Sequence, residues 1–177
     1  MSYPHSGSLE LIQMTEMVVS MGLENIFLES LSQQLRHDGV AFSSDDPANW
    51  ILEESLLRAA QTVNHEGFPQ LGVVVLEGHE LHGAQLRDLA QDLNLATGID
   101  TIIVRAPHAT AAVSDTFTRS ELEAGQLAME SQADYAAGLL EFSSVVQNFS
   151  IPWFALFSAI IALLVAAVIF TALFDKR

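Results

Sequence analysis

The C-terminal part of this chain carries the feature that most constrains its fold, a long apolar segment. The 22 residues from Trp153 to Phe174 contain no charged side chain, and Ser158 and Thr171 are their only polar members. A helix rises about 1.5 Å per residue and crosses the hydrocarbon core of a bilayer with about 20 apolar residues. Core helices rarely run this long without a charge, so the segment predicts one transmembrane helix over residues 152–174.

The flanks of this segment fit a membrane anchor. Pro152 falls in the first turn, where a helix tolerates proline, and Trp153 suits the membrane interface. Lys176 and Arg177 follow Phe174 closely and give the chain a basic tail. Within the helix, small residues recur four apart and would permit lateral homodimerisation, at Ser158, Ala162 and Ala166.

Residues 1–150 are strongly acidic. They contain twenty-one Asp and Glu residues against five Arg and no Lys, a formal charge of −16. Such a domain is repelled by nucleic-acid phosphates and by anionic lipid headgroups, so we expect no nucleic-acid partner and a domain that stands off the bilayer. The chain has no cysteine, which excludes disulfides, thiol catalysis and cysteine-based zinc sites.

The hydrophobic pattern of residues 1–65 predicts helices. Residues 1–25 have the spacing of a helical extension and lack the basic n-region of a signal peptide; a translation start at Met14, Met17 or Met21 is the alternative. A second helix over residues 26–37 should end at Asp38-Gly39, and a third should run from Asp46-Pro47 to about His65. The apolar face of this third helix should contain Trp50, Leu52, Leu56, Leu57, Ala60 and Val63.

A strand–helix–strand pattern follows. Residues 71–76 and 101–104 are short apolar runs rich in β-branched side chains, which is typical of strands buried on both faces. An amphipathic helix over residues 83–94 separates them, so the three elements predict a βαβ unit with parallel strands and a right-handed crossover. Residues 111–116 are a candidate third strand, and residues 118–129 and 134–147 have helical patterns.

The predicted fold class is therefore α/β, a small domain with a βαβ parallel-sheet core flanked by helices, plus one C-terminal transmembrane helix. The chain divides into an N-terminal extension (1–25), the α/β domain (26–130), a helical stalk (131–151), the transmembrane helix (152–174) and the basic tail (175–177).

Ionisable side chains cluster after the predicted strands. Ligands of open α/β sheets gather beyond the carboxyl ends of parallel strands. The candidate ligand or partner surface therefore consists of Glu77, His79, Arg105, His108 and, from the next loop, Asp115. We expect Arg105 to pair with the carboxylate of Asp100, Glu77 or Asp115.

The same region contains no catalytic motif. It lacks a Gly-rich phosphate loop and a G-x-S-x-G elbow, and its histidines His79 and His82 are three apart, whereas the zinc-protease motif spaces them four apart. We therefore predict no cofactor, no metal and no enzymatic activity, with these side chains solvated. A calcium site built from Glu77, Glu80 and Asp115 is the alternative.

Five motifs give the chain a family resemblance. It resembles a small family of single-pass actinobacterial membrane proteins whose genes lie beside that of an NlpC/P60-type peptidoglycan endopeptidase used in cell separation. The resemblance rests on DGVAF at 38–42, GVVVLEG at 72–78, LRDLAQDL at 86–93, TGIDTIIVRAP at 97–107 and VSDTFTRSELEAGQ at 113–126. More distantly, the strand–helix–strand portion is similar to TPM domains, some of which are described as phosphatases or calcium binders.

The resemblance implies a membrane-tethered interaction module of the cell envelope, linked to peptidoglycan hydrolase control or cell separation. Its partner would be a cell-wall hydrolase or a division protein. A TPM-like phosphatase or metal-dependent hydrolase is the alternative function.

Two membrane orientations are compatible with the sequence. The lack of a signal peptide favours a tail anchor with a cytoplasmic domain. Residues 120–151, however, contain no Lys or Arg, whereas Lys176 and Arg177 follow the membrane segment. The positive-inside rule then predicts an extracytoplasmic domain with the C-terminus in the cytoplasm, which is the orientation we expect.

Overall fold

The computed structural model describes residues 24–78, 81–149, 161, 163 and 164. The chain forms two compact units, residues 1–147 and residues 148–177. Among the described residues no helix has the length and apolar character that a membrane crossing requires. Most of the predicted transmembrane helix, the basic tail and nearly all of the predicted N-terminal extension lie outside them.

The first unit is built on a four-stranded sheet. Its strands are β1 (Val40–Phe42), β2 (Leu71–Val75), β3 (Thr101–Ala106) and β4 (Ala109–Ser114), and they lie side by side in this order. The first three strands are parallel, and β4 runs antiparallel to β3 after a tight turn. Both central strands are buried along their whole length, which explains the continuous apolar sequence of β2 and of residues 102–104 in β3.

Helices cover both faces of this sheet. One face packs against α1, the helical residues 24–38, and α3 (Gly83–Thr97). The other face packs against α2 (Asn49–His65), α4 (Arg119–Glu130) and α5 (Tyr135–Asn148). Alternation along the strands separates the two cores, because Val73 and Val75 point to one side while Val74 points to the other. The described part of the chain is thus a three-layer α/β/α domain.

The two crossovers between the parallel strands have opposite hands. Both step in the same direction along the sheet, from β1 to β2 and from β2 to β3. Their helices α2 and α3 nevertheless cover opposite faces. Two right-handed crossovers that step the same way would place both helices on one face of the sheet. One of the two crossovers is therefore left-handed, an exception to the right-handed preference of such connections.

Most predicted elements are confirmed. The α/β class, the parallel β2–α3–β3 unit and the helices around it are present, and the candidate strand at 111–116 is β4, displaced by two residues. The sequence missed β1, which has only three residues. It also placed Trp50 on the buried face of α2, whereas this side chain is 62 % exposed. The helix begins at Asn49, so Trp50 lies in its first turn, ahead of the first buried residue, Leu56.

The predicted stalk over residues 131–151 is largely a part of the domain. Helix α5 buries Leu139, Phe142 and Val146 in the same core as α2 and the sheet. It approaches α4 closely at Gly125, where an added Cβ would lie 2.5 Å from a Val146 methyl carbon and 2.8 Å from the Phe142 ring. Only glycine allows this approach, so the sequence GQ within the fifth motif is a packing signal.

Candidate functional site

The loops after β1 and β2 are tied together at the carboxyl end of the sheet. The Ser44 hydroxyl donates a hydrogen bond to the Glu77 carboxylate. The backbone N–H of Glu77 donates to the Ser43 hydroxyl at 2.9 Å, and the Asn49 side chain donates to the Ser44 carbonyl at 3.1 Å. Glu77 therefore holds the loop that leads into α2, a positioning role that the sequence did not suggest.

Arg105 is buried at the end of β3 rather than solvated. Its side chain is on the face that α5 covers, and the residue is 5 % exposed. Its Nη1 donates to the Thr110 hydroxyl at 2.9 Å, and its Cζ lies 5.1 Å from the centroid of the Tyr135 ring, as in a cation–π contact. Its Nε has no hydrogen-bond partner among the residues that the structure describes. We expected Arg105 to pair with Asp100, Glu77 or Asp115, and this expectation is wrong: among the described residues Arg105 forms no ion pair with any of them.

The structure brings only part of the predicted surface together. His108 lies exposed in the turn between β3 and β4, at the same end of the sheet as Glu77. Asp115 lies at the opposite end, where its backbone N–H donates to the Asp100 carbonyl at 3.1 Å. The cause is the antiparallel direction of β4, which returns the chain to the start of β3. His79 lies outside the described residues.

This placement removes one ligand from the calcium hypothesis. Glu77 and Asp115 lie at opposite ends of the sheet, and Glu80 lies outside the described residues. Within the described ranges, no three His, Asp or Glu side chains come close enough together to hold a metal ion.

A hollow of about 510 Å³ opens beside this end of the sheet. The first turns of α2 line it on one side, through Ala48, Ile51 and Leu52, and the residues around Tyr135 line it on the other. At its rim Ile51 is 61 % exposed, next to the exposed Trp50. Ile51 lines this hollow, and exposed large apolar side chains beside a concave surface are typical of a protein-binding site. We call Trp50, Ile51 and this hollow the α2 patch.

Acidic side chains flank the α2 patch along the chain. Asp45 and Asp46 precede it, and Glu53 and Glu54 follow it by one turn. Arg58 neutralises only one of them, through its ion pair with Glu54. Trp50 and Ile51 therefore lie between two acidic pairs along the chain, and we call these four carboxylates the acidic border. The sequence signal for it was present in the segment DDPANWILEE, but helical periodicity alone assigned Trp50 to the core.

A family model described as Membrane protein Rv1476 matches residues 23–177. The match extends over the α/β domain and the apolar C-terminal segment. Comparisons with curated proteins and with solved structures give no match.

Proposed function

Because the chain belongs to the family described as Membrane protein Rv1476, we propose that it is a membrane-anchored, non-enzymatic interaction module of the cell envelope. The apolar segment over residues 152–174 would hold it in the cell membrane as a single-pass protein. A permanent anchor raises the effective concentration of the α/β domain near other membrane-associated proteins, so even a modest affinity for a partner would suffice.

The observation that supports this proposal most directly is the α2 patch. Trp50 and Ile51 expose more than half of their surface, although large apolar side chains stabilise a domain only when they are buried. Tryptophan is the residue most enriched among those that carry binding energy at protein interfaces. The hollow of about 510 Å³ that Ile51 lines has room for a side chain of a partner.

The acidic border suggests the chemistry of that partner. A matching segment would present one or two apolar side chains flanked by Arg or Lys, because charges of opposite sign at the border steer association and fix its orientation. The family resemblance directs attention to a cell-wall hydrolase or a division protein, and an NlpC/P60-type endopeptidase is the first candidate to test.

The ionisable groups at the carboxyl end of the sheet favour this function over catalysis. The Glu77 carboxylate accepts from the Ser44 hydroxyl and the Glu77 N–H donates to the Ser43 hydroxyl, so both groups order the loop before α2, and Arg105 is buried beneath Tyr135. A TPM-like phosphatase or metal-dependent hydrolase, the alternative, would need such groups to face a substrate. The distribution of basic residues supports an extracytoplasmic domain and a cytoplasmic C-terminus.

The test uses the full chain in detergent micelles and a purified NlpC/P60-type endopeptidase as the probe. We expect binding that weakens as salt rises from 50 to 500 mM, because the border charges are then screened. The double variant Trp50→Ala, Ile51→Ser should raise the Kd at least tenfold, since the central apolar contact is lost.

The matched control is Leu95→Ala on α3, which removes an apolar side chain that is 73 % exposed away from the α2 patch. It should leave the Kd unchanged. Equal binding by the wild type and the Trp50 double variant would contradict the proposal. Turnover of a phosphate ester by the full chain, abolished in Glu77→Ala, would establish the enzymatic alternative instead.

A further inference from the structure

A second surface, at the outer edge of β4, has the geometry of a strand-binding groove. Strand β4 pairs only with β3 among the described strands. A cavity of about 610 Å³ runs along its other side. One wall is the face of α3 that carries Gly83, Ala84 and Arg87, and the other is the face of α4 that carries Arg119, Leu122 and Glu123. We call this cavity the β4 groove.

The floor of the β4 groove presents backbone hydrogen-bonding groups. The backbone N–H of Asp115 points toward the β3 side of the sheet, where it donates to Asp100. Because backbone groups alternate in direction along a strand, the N–H and C=O groups of Thr110, Ala112 and Ser114 point away from β3. The Ala112 N–H and C=O, the Thr110 C=O and the Ser114 N–H find no hydrogen-bonding partner in the part of the chain that the structure describes. An unpaired row of this kind is a template for another strand.

Both ends of this row are closed. The Thr110 N–H already donates to the Glu130 carboxylate of α4 at 2.6 Å. At the other end, the Ser114 hydroxyl accepts hydrogen bonds from the N–H groups of Thr116 and Phe117, at 3.1 and 3.2 Å, which turn the chain away. The open edge therefore spans residues 110–114, and an added strand of about five residues would satisfy it at about 3.3 Å per residue.

The recessed position of β4 selects a single extended peptide over a second copy of this chain. Residues 110–113 are between 4 and 9 % exposed although they belong to an edge strand, because α3 and α4 flank them on both sides. In a dimer of this domain, each β4 would have to enter the groove of the other copy, but the α3 and α4 helices beside each strand would collide first. An isolated extended segment carries no such walls.

Charge distinguishes the β4 groove from the rest of the domain. Residues 1–150 contain only five arginines, and two of them, Arg87 and Arg119, line the groove, together with the acidic Asp88 and Glu123. Arg119 is bound to Glu123 at 2.6 Å. Arg87 forms no ion pair with a described residue, so it is available to a carboxylate of a ligand.

From these observations we infer that the β4 groove binds an extended segment of a partner protein, which adds to the sheet as a fifth strand. Backbone bonds to Ala112 supply affinity, and alternate side chains supply specificity. One side chain packs on Leu122, so it is apolar; a neighbouring carboxylate pairs with Arg87. This mode of binding goes beyond the proposed function and uses a surface separate from the α2 patch.

The experiment selects ligands from a phage-displayed library of random eight-residue peptides against the full chain in nanodiscs. We expect peptides with apolar residues at alternate positions and one Asp or Glu. Their binding should slow hydrogen exchange at the Ala112 amide. Ala112→Pro should raise their Kd at least tenfold, because it removes the outward N–H without removing a bond to β3.

Two further variants separate loss of binding from loss of folding. Ala84→Trp fills the groove from an exposed position on α3 and should also abolish binding. Arg87→Glu should weaken binding several-fold, whereas its matched control Arg58→Glu, an exposed arginine on α2, should not. Circular dichroism establishes that each variant is folded.

Three results would overturn the inference. The selection yields no peptide that binds the folded chain; the selected peptides bind Ala84→Trp and the folded Ala112→Pro variant as tightly as the wild type; or the chain self-associates through this edge and Ala112→Pro dissociates it. None of these outcomes depends on Trp50, so failure here and failure of the proposed function are distinguishable.

Discussion

The two edges of the sheet are treated in opposite ways. At β1, the side chain of Gln34 on α1 covers the outer edge: it accepts from the Phe42 N–H at 3.0 Å and donates to the Phe42 carbonyl at 3.2 Å. The Asp38 carboxylate accepts from the Val40 N–H at 3.0 Å. At β4, among the described residues, a side chain accepts only from the Thr110 N–H, and the backbone of Ala112 has no partner at the bottom of the groove.

This difference separates a structural edge from an available one. An exposed strand edge recruits other strands, and proteins commonly block it with side chains or cover it. Here the side-chain amide of Gln34 satisfies both backbone groups of Phe42 and the Asp38 carboxylate satisfies the Val40 N–H, so side chains occupy most of that edge. The helices beside β4 leave its backbone reachable within a groove whose width they set. Three predictions test this comparison.

The largest effect should come from Phe142→Ala, which undermines a wall of the β4 groove. Phe142 is fully buried and supports α4 at Gly125. Removing the ring leaves a cavity, and we expect a loss of about 3–5 kcal/mol in the free energy of unfolding. Urea unfolding of the full chain in detergent, followed by circular dichroism, measures it. The control Leu140→Ala, on the same helix but 40 % exposed, should lose much less; equal losses would show that α5 does not support α4.

A smaller effect is expected from Gln34→Leu, which opens the edge of β1. The change leaves the Phe42 N–H and C=O without partners, and we expect a loss of about 1–3 kcal/mol in the free energy of unfolding. Hydrogen exchange at the Phe42 amide should accelerate. Gln33→Leu is the control, because Gln33 is exposed and, within the described part of the chain, its side chain bonds only to Glu29. Unchanged hydrogen exchange at the Phe42 N–H would show that the Gln34 side chain does not protect this edge.

The smallest effect concerns pH and the start of α4, beside the β4 groove. The Thr118 hydroxyl and backbone N–H both donate to the Glu121 carboxylate, at 2.7 and 2.6 Å, and together they lower the pKa of Glu121 below its ordinary value of 4.5. The folded state therefore gains stability above that value and loses it as pH falls through the lower, folded-state pKa.

Thermal unfolding between pH 6 and pH 3 measures this contribution. Glu121→Gln should make the unfolding temperature less dependent on pH, and Thr118→Val should reduce the same pH dependence because it removes the hydroxyl that donates to Glu121. The double variant should therefore add little to either single change. Fully additive effects would show that the two residues act separately.

The sequence predicted an element correctly where the residues of that element alone show its hydrophobic pattern. β2 and residues 102–104 of β3 are apolar at every position because both of their faces are buried, and the fifteen residues of α3 place apolar side chains on one face and polar side chains on the other. Prediction failed for β1, whose three residues become a strand only by pairing with β2 and bonding to Gln34. It failed for Trp50 because helical periodicity does not reveal at which residue burial begins, and the first buried residue of α2 is Leu56.

The candidate site shows the same division. Glu77 and His108 follow strand ends in the sequence, and both lie at the predicted end of the sheet. Asp115 does not, because the direction of β4 depends on its pairing with β3. Arg105 was expected at the surface, yet it is covered by Tyr135, a residue thirty positions later in the chain.

By itself the sequence determined the α/β class, the acidic character of the domain and the prediction of a membrane anchor, because composition and local periodicity act within a few residues. Only the tertiary structure decided which edge of the sheet is closed and which groups meet at its ends. Those outcomes depend on contacts such as Gln34 with Phe42 and Glu130 with Thr110, between segments whose local patterns contain no information about one another.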